Sequence, residues 1–306
     1  MTAPGMTSSG MTNSGMIPQG SGRQGAEGLR GILAQPGLVP MPCCFDALSA
    51  KLIEQAGFPL TFMSGFAVSA ARLGLPDTGL ISYAEMLDQG RNICAATRIP
   101  VIGDGDTGYG NAVNVKRTVA GYAQAGFAAV MIEDQVWPKR CGHTRGKAVV
   151  GHDEAMARVR AAVDAREEGA DILILARTDA RATDGLDEAL RRVEGFQRLG
   201  ADILFLEAPK SEAEMRAFCG AVDKPTLANL VEQGETPVLP PAVLEEIGYK
   251  LAAYPLTLLS AAVSAMQEAL AAFAAGAHPQ AILSFAELRE RVGFEDYYRE
   301  EDRYAG

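Results

Sequence analysis

The sequence lacks the cysteine and histidine patterns that hold disulfide-rich domains or zinc sites together. Its 306 residues contain five cysteines, an odd number, and no two of them form a C-x-x-C pair. It contains three histidines, and no Cys and His cluster offers four zinc ligands. These absences disfavour a disulfide framework and a structural zinc site. We therefore expect reduced thiols and a cytoplasmic protein.

Clustered positive charge is also lacking. The formal net charge is −10, and the 28 Lys and Arg residues are spread along the chain without a long basic stripe. Binding to nucleic acids or to anionic membranes depends on such clusters, so we expect neither kind of partner. A local cationic site for an acidic metabolite stays open.

Long apolar runs are absent as well. No stretch reaches the roughly 18 uncharged apolar residues that indicate a membrane-spanning helix. The alanine-rich stretch 251–277 is apolar, but Tyr254, Pro255, Gln267 and Glu268 interrupt it. We predict that it forms the end of a strand followed by a packed helix.

Composition divides the chain near residue 25. Residues 1–24 are rich in Gly, Ser, Thr and Met, carry almost no charge and show no helical or strand period. We predict that this segment is a disordered tail, because its composition cannot bury a core. Residues 25–306 are predicted to form a single domain with a C-terminal helical extension.

Short apolar runs alternate with longer helical stretches over most of the chain. Helical patterns include residues 46–57, 82–97, 111–126, 153–168 and 185–199. Eight strand–helix units in this length predict a (β/α)8 TIM barrel of class α/β. A doubly wound open sheet is the alternative, but the first strand–helix turn lacks its G-x-G-x-x-G motif. The eight predicted strands are residues 38–40, 60–65, 100–106, 129–135, 172–180, 203–209, 225–232 and 249–255.

Helical sequence continues beyond the eighth predicted strand. It covers roughly residues 256–275 and 280–291, and the chain then ends in the mixed aromatic and charged sequence FEDYYREEDRY. Helices in this position have no obvious place to bury an apolar face within one subunit. We therefore expect them to make contacts in a homodimer or homotetramer.

Acidic residues collect where the predicted strands end, which is the edge where barrel enzymes place their chemistry. Asp104 and Asp106 end the third strand, and Glu133 ends the fourth. Charged groups beside apolar strands are costly to bury unless they are paired or bind a metal. With Asp77 as a candidate fourth ligand, these carboxylates favour Mg²⁺ or Mn²⁺. Helix capping by the two aspartates is the alternative.

Two further features suit an acidic substrate. Arg177, at the end of the fifth strand, can hold a carboxylate through two hydrogen bonds. An internal salt bridge with Glu207 or Asp179 is the alternative. Residues 64–66 precede a helical stretch, where backbone N–H groups favour an anion.

Cys141 lies in the cationic stretch PKRCGHTRGK, residues 138–147. Neighbouring cations such as Arg140 and a protonated His143 favour the thiolate form of a cysteine. Two alternatives are packing as a small apolar residue and zinc binding together with His143.

The chain resembles the isocitrate lyase and phosphoenolpyruvate mutase superfamily from about residue 25 to about residue 300. KRCGH is typical of the branch that breaks carbon–carbon bonds, which includes isocitrate, 2-methylisocitrate and 2,3-dimethylmalate lyases and the oxaloacetate hydrolases. The matching stretches are MSGFAVSAARLGLPDTG, GDGDTGYGN, IEDQ, KRCGH, ARTDA, FLEAP, ANLVE and AYPLTLL.

The resemblance implies a barrel whose terminal helix is exchanged between the subunits of a dimer or tetramer. It implies that Asp104 binds Mg²⁺ directly, and that Asp77, Asp106 and Glu133 do so directly or through water. It also implies that the segment around Cys141 is a mobile gating loop. The residues implied to surround the substrate are Ser64, Gly65 and Phe66, through their amides, and Arg177, Glu207 and Asn229.

These features together predict a Mg²⁺-dependent carbon–carbon bond lyase. Its substrate is expected to be a 2-hydroxy di- or tricarboxylate of the 2-methylisocitrate, isocitrate or 2,3-dimethylmalate type, and its products a 2-oxo acid and a carboxylate. Cys141 is the predicted general acid, and His143, Arg177 and Glu207 complete the predicted catalytic group. Phe62 replaces a tyrosine that many lyases of this branch have, and the loop continues differently, so the particular acid is left open.

Three alternatives remain at this point. One is an oxaloacetate hydrolase or decarboxylase with the same fold. Another is an enzyme of phosphonate chemistry, similar to carboxyvinyl-carboxyphosphonate or phosphoenolpyruvate mutases, against which the KRCGH motif argues. The third is a barrel that binds an oxoacid without turnover.

Overall fold

The computed structural model describes residues 25–142, 144 and 146–305. The predicted disordered tail, residues 1–24, lies outside the described residues, and so do His143 and Arg145.

Eight parallel strands close into a barrel in sequence order. The first and last strands complete the ring, with Val39 opposite Leu251 and Pro42 opposite Tyr254. All eight predicted strands are present, so the (β/α)8 prediction is confirmed. The strands are β1 (Val39–Cys44), β2 (Thr61–Met63), β3 (Val101–Asp104), β4 (Ala129–Glu133), β5 (Leu173–Thr178), β6 (Ile203–Leu206), β7 (Thr226–Asn229) and β8 (Leu251–Tyr254).

Helices connect the strands, and their ends follow local sequence signals. Ser82 and Asn111 begin their helices with capping boxes, while Gly126 and Gly200 end theirs in the left-handed conformation. The helices are α1 (Ala26–Ala34), α2 (Ala47–Gln55), α3 (Gly65–Leu73), α4 (Tyr83–Ala96), α5 (Ala112–Ala125), α6 (His152–Glu167), α7 (Ala180–Thr183), α8 (Leu186–Leu199), α9 (Glu212–Gly220), α10 (Pro241–Ile247), α11 (Thr257–Ala274), α12 (Phe285–Val292) and α13 (Phe294–Asp302).

The strands end earlier than the sequence predicted. The third was expected to reach residue 106 and the fourth residue 135, but they end at Asp104 and Glu133. Asp106 adopts a left-handed φ of 48°, which turns the chain out of the sheet. The polar residues beyond the strands therefore form turns at the mouth of the barrel.

The core has two layers, as alternation along the strands requires. In β4, Val130 and Ile132 belong to the layer between strands and helices, whereas Met131 belongs to the cluster inside the barrel. Met41 and Phe205 also lie in the inner cluster. The barrel is thus filled by side chains, and the space for a ligand lies at the carboxyl ends of the strands.

The three helices after β8 are mostly exposed in the single chain. None of α11, α12 and α13 has a buried residue, and Leu270, Phe273 and Phe285 are among their exposed apolar side chains. The first turn of α11 contacts β1, and Leu258 packs against the core there, while most of the helix is exposed in the single chain. The packing predicted for α11 stays a prediction. Contacts to the barrel include hydrogen bonds from Lys51 and Gln55 of α2 to α12 carbonyls.

Within the described residues, α11 is the single helix long and apolar enough to cross a membrane, judged by length and composition alone. This is weak evidence, because a helix that packs against another subunit has the same length and composition. The predicted helix exchange between subunits stays a prediction.

Candidate active site

The four predicted metal ligands lie together at the mouth of the barrel. Asp104 ends β3, Glu133 ends β4, Asp106 lies in the turn after β3, and Asp77 lies in the loop after α3. Their exposed fractions are 5% for Asp77, 7% for Asp104, 1% for Asp106 and 2% for Glu133. Burial of four carboxylates in one place demands compensating positive charge.

Lys139 supplies part of that charge. Its Nζ donates to Asp77 Oδ2 at 2.7 Å and lies 2.7 Å from Asp106 Oδ1. Burial would lower the pKa of Lys139, but Asp106 and Asp77 outweigh it and raise the pKa well above its ordinary value. From the sequence, Lys139 was only one of several cations in the loop around Cys141. The composition of that loop does not indicate which cation is buried.

Two backbone amides hold the carboxylate of Asp104. Its carboxylate accepts hydrogen bonds from the amides of Gly65, at 3.2 Å, and Asp106, at 3.0 Å. A Cβ at Gly65 would lie 2.4 Å from Asp104 Oδ2, so only glycine allows this contact. Burial and the nearby Asp106 raise the pKa of Asp104 to about 6, and Lys139 works against both.

Buried carboxylate oxygens without donors fit a bound cation. Asp77 Oδ1, both oxygens of Asp106 and Glu133 Oε1 are buried and have no hydrogen-bond donor among the described residues. Lys139 lies 2.7 Å from Asp77 Oδ1 and from Asp106 Oδ1, but without hydrogen-bond geometry. Such oxygens are costly to bury, and a cation with its waters would satisfy them.

The spacing of these acids suits a Mg²⁺ ion that keeps some of its waters, rather than a metal ion enclosed by protein ligands alone. Across the described part of the chain, no three His, Cys, Asp or Glu side chains are arranged to enclose a metal ion by themselves. Mg²⁺ usually keeps several waters and takes one or two carboxylates directly. Direct binding by Asp104, with water between the ion and the other acids, agrees with this arrangement.

Arg177 is held by internal pairs, as the alternative interpretation of the sequence proposed. Its Nε and Nη2 donate to Asp179 at 2.8 and 3.0 Å, and its Nη1 lies 3.3 Å from Glu133 Oε2. Burial would raise the pKa of Asp179, but Arg177 and Lys147 outweigh it and lower the pKa. The Arg177 Nη2 atom also lies 3.7 Å from Glu207 Oε1, at the edge of the cavity. A pre-oriented guanidinium of this kind can still hold a substrate carboxylate.

Asp134 stabilises the end of β5, where Arg177 and Asp179 form their ion pair. It accepts hydrogen bonds from the Thr178 hydroxyl at 2.6 Å, the Asp179 amide at 2.9 Å and Arg192 at 2.9 Å. Arg192 belongs to α8, so the helix fixes the end of β5 where Arg177 and Asp179 lie. Sequence reasoning assigned Asp134 no role, because its partners are 44 to 58 residues away.

Two of the three backbone amides in the turn at residues 64–66 donate hydrogen bonds within the protein. The Ser64 amide donates to the Cys44 carbonyl at 3.0 Å, and the Gly65 amide donates to Asp104. Ser64 Oγ caps α3 by accepting from the Ala67 amide at 3.3 Å. The expectation that all three amides serve the substrate is therefore corrected, since two of them hold the fold. The Phe66 amide and the Ser64 hydroxyl proton remain candidates.

Glu207 and Asn229 contact each other beside Arg177. Asn229 Nδ2 lies 3.3 Å from Glu207 Oε2 and 3.4 Å from Glu207 Oε1. Both residues line one cavity with Ser64, Phe66 and Asp104. The structure thus brings together the predicted substrate-binding residues from strands that are distant in sequence.

The loop that carries Cys141 closes over this cavity. Cys141 and Gly142 line it together with Arg177 and Glu207. Lys147 Nζ donates to the Gly142 carbonyl and lies 3.5 Å from Asp179 Oδ1, which ties the loop to the Arg177 pair. The fourth predicted catalytic residue, His143, lies outside the described residues. The five cysteines, all among the described residues, form no disulfide with one another in the structure.

Phe62 lies below this cavity and lines it. It is 8% exposed and brings a ring without a hydroxyl to the position where many lyases of the branch have tyrosine. A larger surface cleft, about 880 Å³, lies between α4, α5 and α6. It contains none of the predicted site residues, so the chemistry belongs to the smaller cavity.

The fold and this cavity define a (β/α)8 barrel whose candidate active site lies at the carboxyl ends of the strands. A family model described as phosphoenolpyruvate phosphomutase matches residues 29–274. The chain therefore belongs to the phosphoenolpyruvate mutase and isocitrate lyase superfamily, as one of its carbon–carbon lyases.

Three curated relatives cover most of the chain. The 2,3-dimethylmalate lyase of Eubacterium barkeri is 42% identical over 90% of this chain and 97% of its own. The chloroplastic carboxyvinyl-carboxyphosphonate phosphorylmutase of Arabidopsis thaliana is 40% identical, covering 90% and 83%. The 2-methylisocitrate lyase of Aeropyrum pernix is 38% identical, covering 88% and 87%.

Solved structures agree with the fold and the superfamily. An oxaloacetate acetylhydrolase bound to 3,3-difluorooxalacetate superimposes with a TM-score of 0.89 at 33% identity, covering 92% of this chain and 98% of that one. A phosphonopyruvate hydrolase in complex with oxalate and Mg²⁺ superimposes with a TM-score of 0.82 at 30% identity, covering 92% and 100%.

Proposed function

We propose that the protein is a Mg²⁺-dependent lyase that cleaves the C2–C3 bond of a 2-hydroxy di- or tricarboxylate, releasing a 2-oxo acid and a carboxylate. The observation that carries the proposal is the convergence of Cys141 and Gly142 on the cavity that Asp104, Arg177 and Glu207 line. The relatives named as lyases of 2,3-dimethylmalate and 2-methylisocitrate support it.

Asp104 would hold the ion directly, and Asp77, Asp106 and Glu133 would hold its waters. Their unsatisfied buried oxygens support this role. Bound Mg²⁺ would supply Lewis-acid polarisation of the 2-oxygen and neighbouring carboxylate of the substrate. The relative solved with oxalate and Mg²⁺ supports the choice of metal.

Arg177 and Asn229 would hold the carboxylate at the other end of the substrate. Asp179 fixes the guanidinium plane, so little conformational entropy is lost when the carboxylate binds. The loop over the cavity would exclude water while the carbon–carbon bond breaks.

Cys141 would give its proton to the C3 carbon of the released carboxylate fragment. The 2-hydroxyl would lose its proton to a base in the cavity, and the electron pair of its O–H bond would form the C2=O bond of the 2-oxo acid. The electron pair of the broken C2–C3 bond would then go to C3, where the thiol proton neutralises it while the sulfur keeps the negative charge. His143 is proposed to assist from the same loop. The resulting thiolate would be stabilised by the loop cations.

The exposed apolar faces of α11, α12 and α13 support assembly into a homodimer or homotetramer by exchange of these helices. A cytoplasmic location is part of the proposal, because five cysteines without a C-x-x-C pair are typical of a reducing compartment. The partner inside the cavity is a small carboxylic acid, and we propose neither a nucleic-acid nor a membrane partner.

Hydrolysis of oxaloacetate is the second candidate, which the similarity to oxaloacetate acetylhydrolase favours. A panel of acids with Mg²⁺, assayed for glyoxylate, pyruvate, propionate, succinate, acetate and oxalate, separates the two. A 2-oxo acid formed from a 2-hydroxy acid supports the lyase. Oxalate and acetate from oxaloacetate alone would replace it by the hydrolase, and no turnover of any acid would contradict both.

A further inference from the structure

The active-site cavity has two chemically different halves. On the side of β3 to β6 it is lined by charged residues, namely Asp77, Asp104, Lys139, Arg177 and Glu207. These groups suit the polar end of a substrate. Asp104 ends β3, Arg177 lies in β5 and Glu207 follows β6, whereas Asp77 and Lys139 reach the same side from the loops after α3 and β4.

The opposite half is mostly apolar and uncharged, with Ser64 after β2 and Asn229 at the end of β7 as its polar side chains. Phe66 follows β2, Val231 follows β7, and Pro255 and Leu256 follow β8. Because β8 pairs with both β7 and β1, and β1 with β2, these side chains are neighbours around the ring. Phe62, Leu227 and Ala253 continue the apolar surface towards the floor of the cavity.

The cations of the cavity all lie outside the apolar half. Among the described residues that line it, the positive side chains are Lys139, Arg140 and Arg177, from the ends of β4 and β5. Lys139 is already paired with Asp77 and Asp106. Described residues of β7, β8, β1 and β2 that line the cavity include no Lys, Arg or His.

This division bears on the number of carboxylates that the site accepts. One carboxylate and the 2-oxygen would face the acids and their cation, and a second carboxylate would face Arg177. A third carboxylate would face Phe66, Val231, Pro255 and Leu256, where an unpaired charge is strongly unfavourable.

We infer that the substrate is a 2-hydroxy dicarboxylate with an alkyl group on C3, and that the alkyl group packs against Phe66, Val231, Pro255 and Leu256. This inference rests on the proposed lyase function and narrows it to the dicarboxylate class. A tricarboxylate, whose C3 carries a carboxymethyl group in place of the alkyl group, is excluded by the same surface.

Two substrates test this directly because they differ at one position. 2,3-Dimethylmalate carries methyl on C3, 2-methylisocitrate carries carboxymethyl there, and cleavage of either releases pyruvate. We expect kcat/KM for 2,3-dimethylmalate to exceed that for 2-methylisocitrate by about 100-fold or more, since burying an unpaired charge is far more costly than burying a methyl group.

The outcomes separate the inference from the function on which it rests. Pyruvate formed from 2-methylisocitrate as efficiently as from 2,3-dimethylmalate would overturn the inference and leave the lyase function in place. Glyoxylate from isocitrate, without pyruvate from either acid, would also overturn the inference and leave the lyase function in place. No 2-oxo acid from any 2-hydroxy acid would overturn the inference together with the lyase proposal.

The variant Val231→Thr tests the apolar contact itself. It keeps the side-chain shape but adds a hydroxyl, so we expect kcat/KM for 2,3-dimethylmalate to fall about 10-fold and that for 2-methylisocitrate to stay equal or rise. Val238→Thr is the matched control, because Val238 is 49% exposed and does not line the cavity. Equal changes for both acids would contradict the contact.

Val231 also borders a groove of about 460 Å³ along α11, with Phe66 and Leu256. Melting temperature and particle mass of Val231→Thr are therefore measured alongside activity. A loss of fold or assembly that lowers both activities together would count against a specific role for Val231 in substrate choice.

Discussion

Gly142 lies against Glu207 so closely that no side chain fits between them. A Cβ at Gly142 would lie 1.8 Å from Glu207 Oε1 and 2.6 Å from Arg177 Nη2. The glycine thus lets the backbone of the Cys141 loop approach the two polar residues at the centre of the cavity. Closure of the loop and the position of Cys141 depend on this contact.

We expect Gly142→Ala to lower kcat by about 100-fold, because a displacement of about 1 Å at a reacting group has this effect. The melting temperature should change little, since the loop can move away from the barrel. Gly151→Ala is the control, because a Cβ there meets no atom within 4 Å. Normal turnover by Gly142→Ala would show that the closed loop is not the active arrangement.

Cys141→Ser should lower kcat by about 10²-fold or more, because a hydroxyl is a far weaker acid than a thiol with cations nearby. Binding of pyruvate or glyoxylate with Mg²⁺, measured by calorimetry, should stay unchanged, since Asp104, Arg177 and Asn229 are untouched. Near-normal kcat would mean that the thiol only packs. A joint loss of rate, binding and melting temperature would make the residue structural.

Chelation of divalent cations by EDTA should abolish turnover, and Mg²⁺ or Mn²⁺ should restore it. Asp104→Asn should remove the calorimetric signal of Mg²⁺ binding, because an amide replaces the proposed direct ligand. Asp171→Asn serves as the control, since Asp171 is a largely exposed residue paired with Arg30. Full activity of metal-free protein would rule out the metal site.

We expect the protein to lose stability in acid as Glu188 becomes protonated. Partial burial works against its ionisation, but hydrogen bonds from Arg191, Arg192 and His152 lower the pKa of Glu188 from 4.5 to about 2. A carboxyl with a depressed folded-state pKa stabilises the protein above about pH 4.5, and this contribution is lost as the pH falls towards 2.

Glu188→Gln should therefore lower the free energy of unfolding at pH 7 by about 1 kcal/mol, a value discounted for solvent screening. The difference from the unchanged protein should shrink between pH 4.5 and 2 in denaturant titrations. Glu290→Gln, on the exposed helix α12, is the control. A difference that is constant over this pH range would show that the charge of Glu188 is not responsible.

Deletion of residues 280–306 should reduce the particle mass measured by light scattering, or the yield of folded protein. The segment contains α12 and α13, whose apolar side chains are exposed in the single chain. Apolar patches of this kind mark contacts with another chain. An unchanged, stable assembly would assign the subunit contacts to other surfaces.

Local patterns in the sequence were enough to predict the barrel. Each of the eight apolar runs is a strand, because strand period and flanking helical period are properties of adjacent residues. The same order places Asp104, Glu133 and Arg177 at one edge, since the carboxyl ends of parallel strands meet there. The sequence by itself thus determined the fold and the side of the fold where the site lies.

Only the tertiary structure decided how the site residues are paired. Lys139 reaches Asp77 across 62 residues of sequence, and Asp134 meets Arg192 across 58. The Gly65 amide serves Asp104, although its position before a helix had suggested a substrate contact. Such contacts form between groups that the closed barrel brings within about 3 Å of each other. Residue types and local spacing in the sequence do not indicate which groups these are.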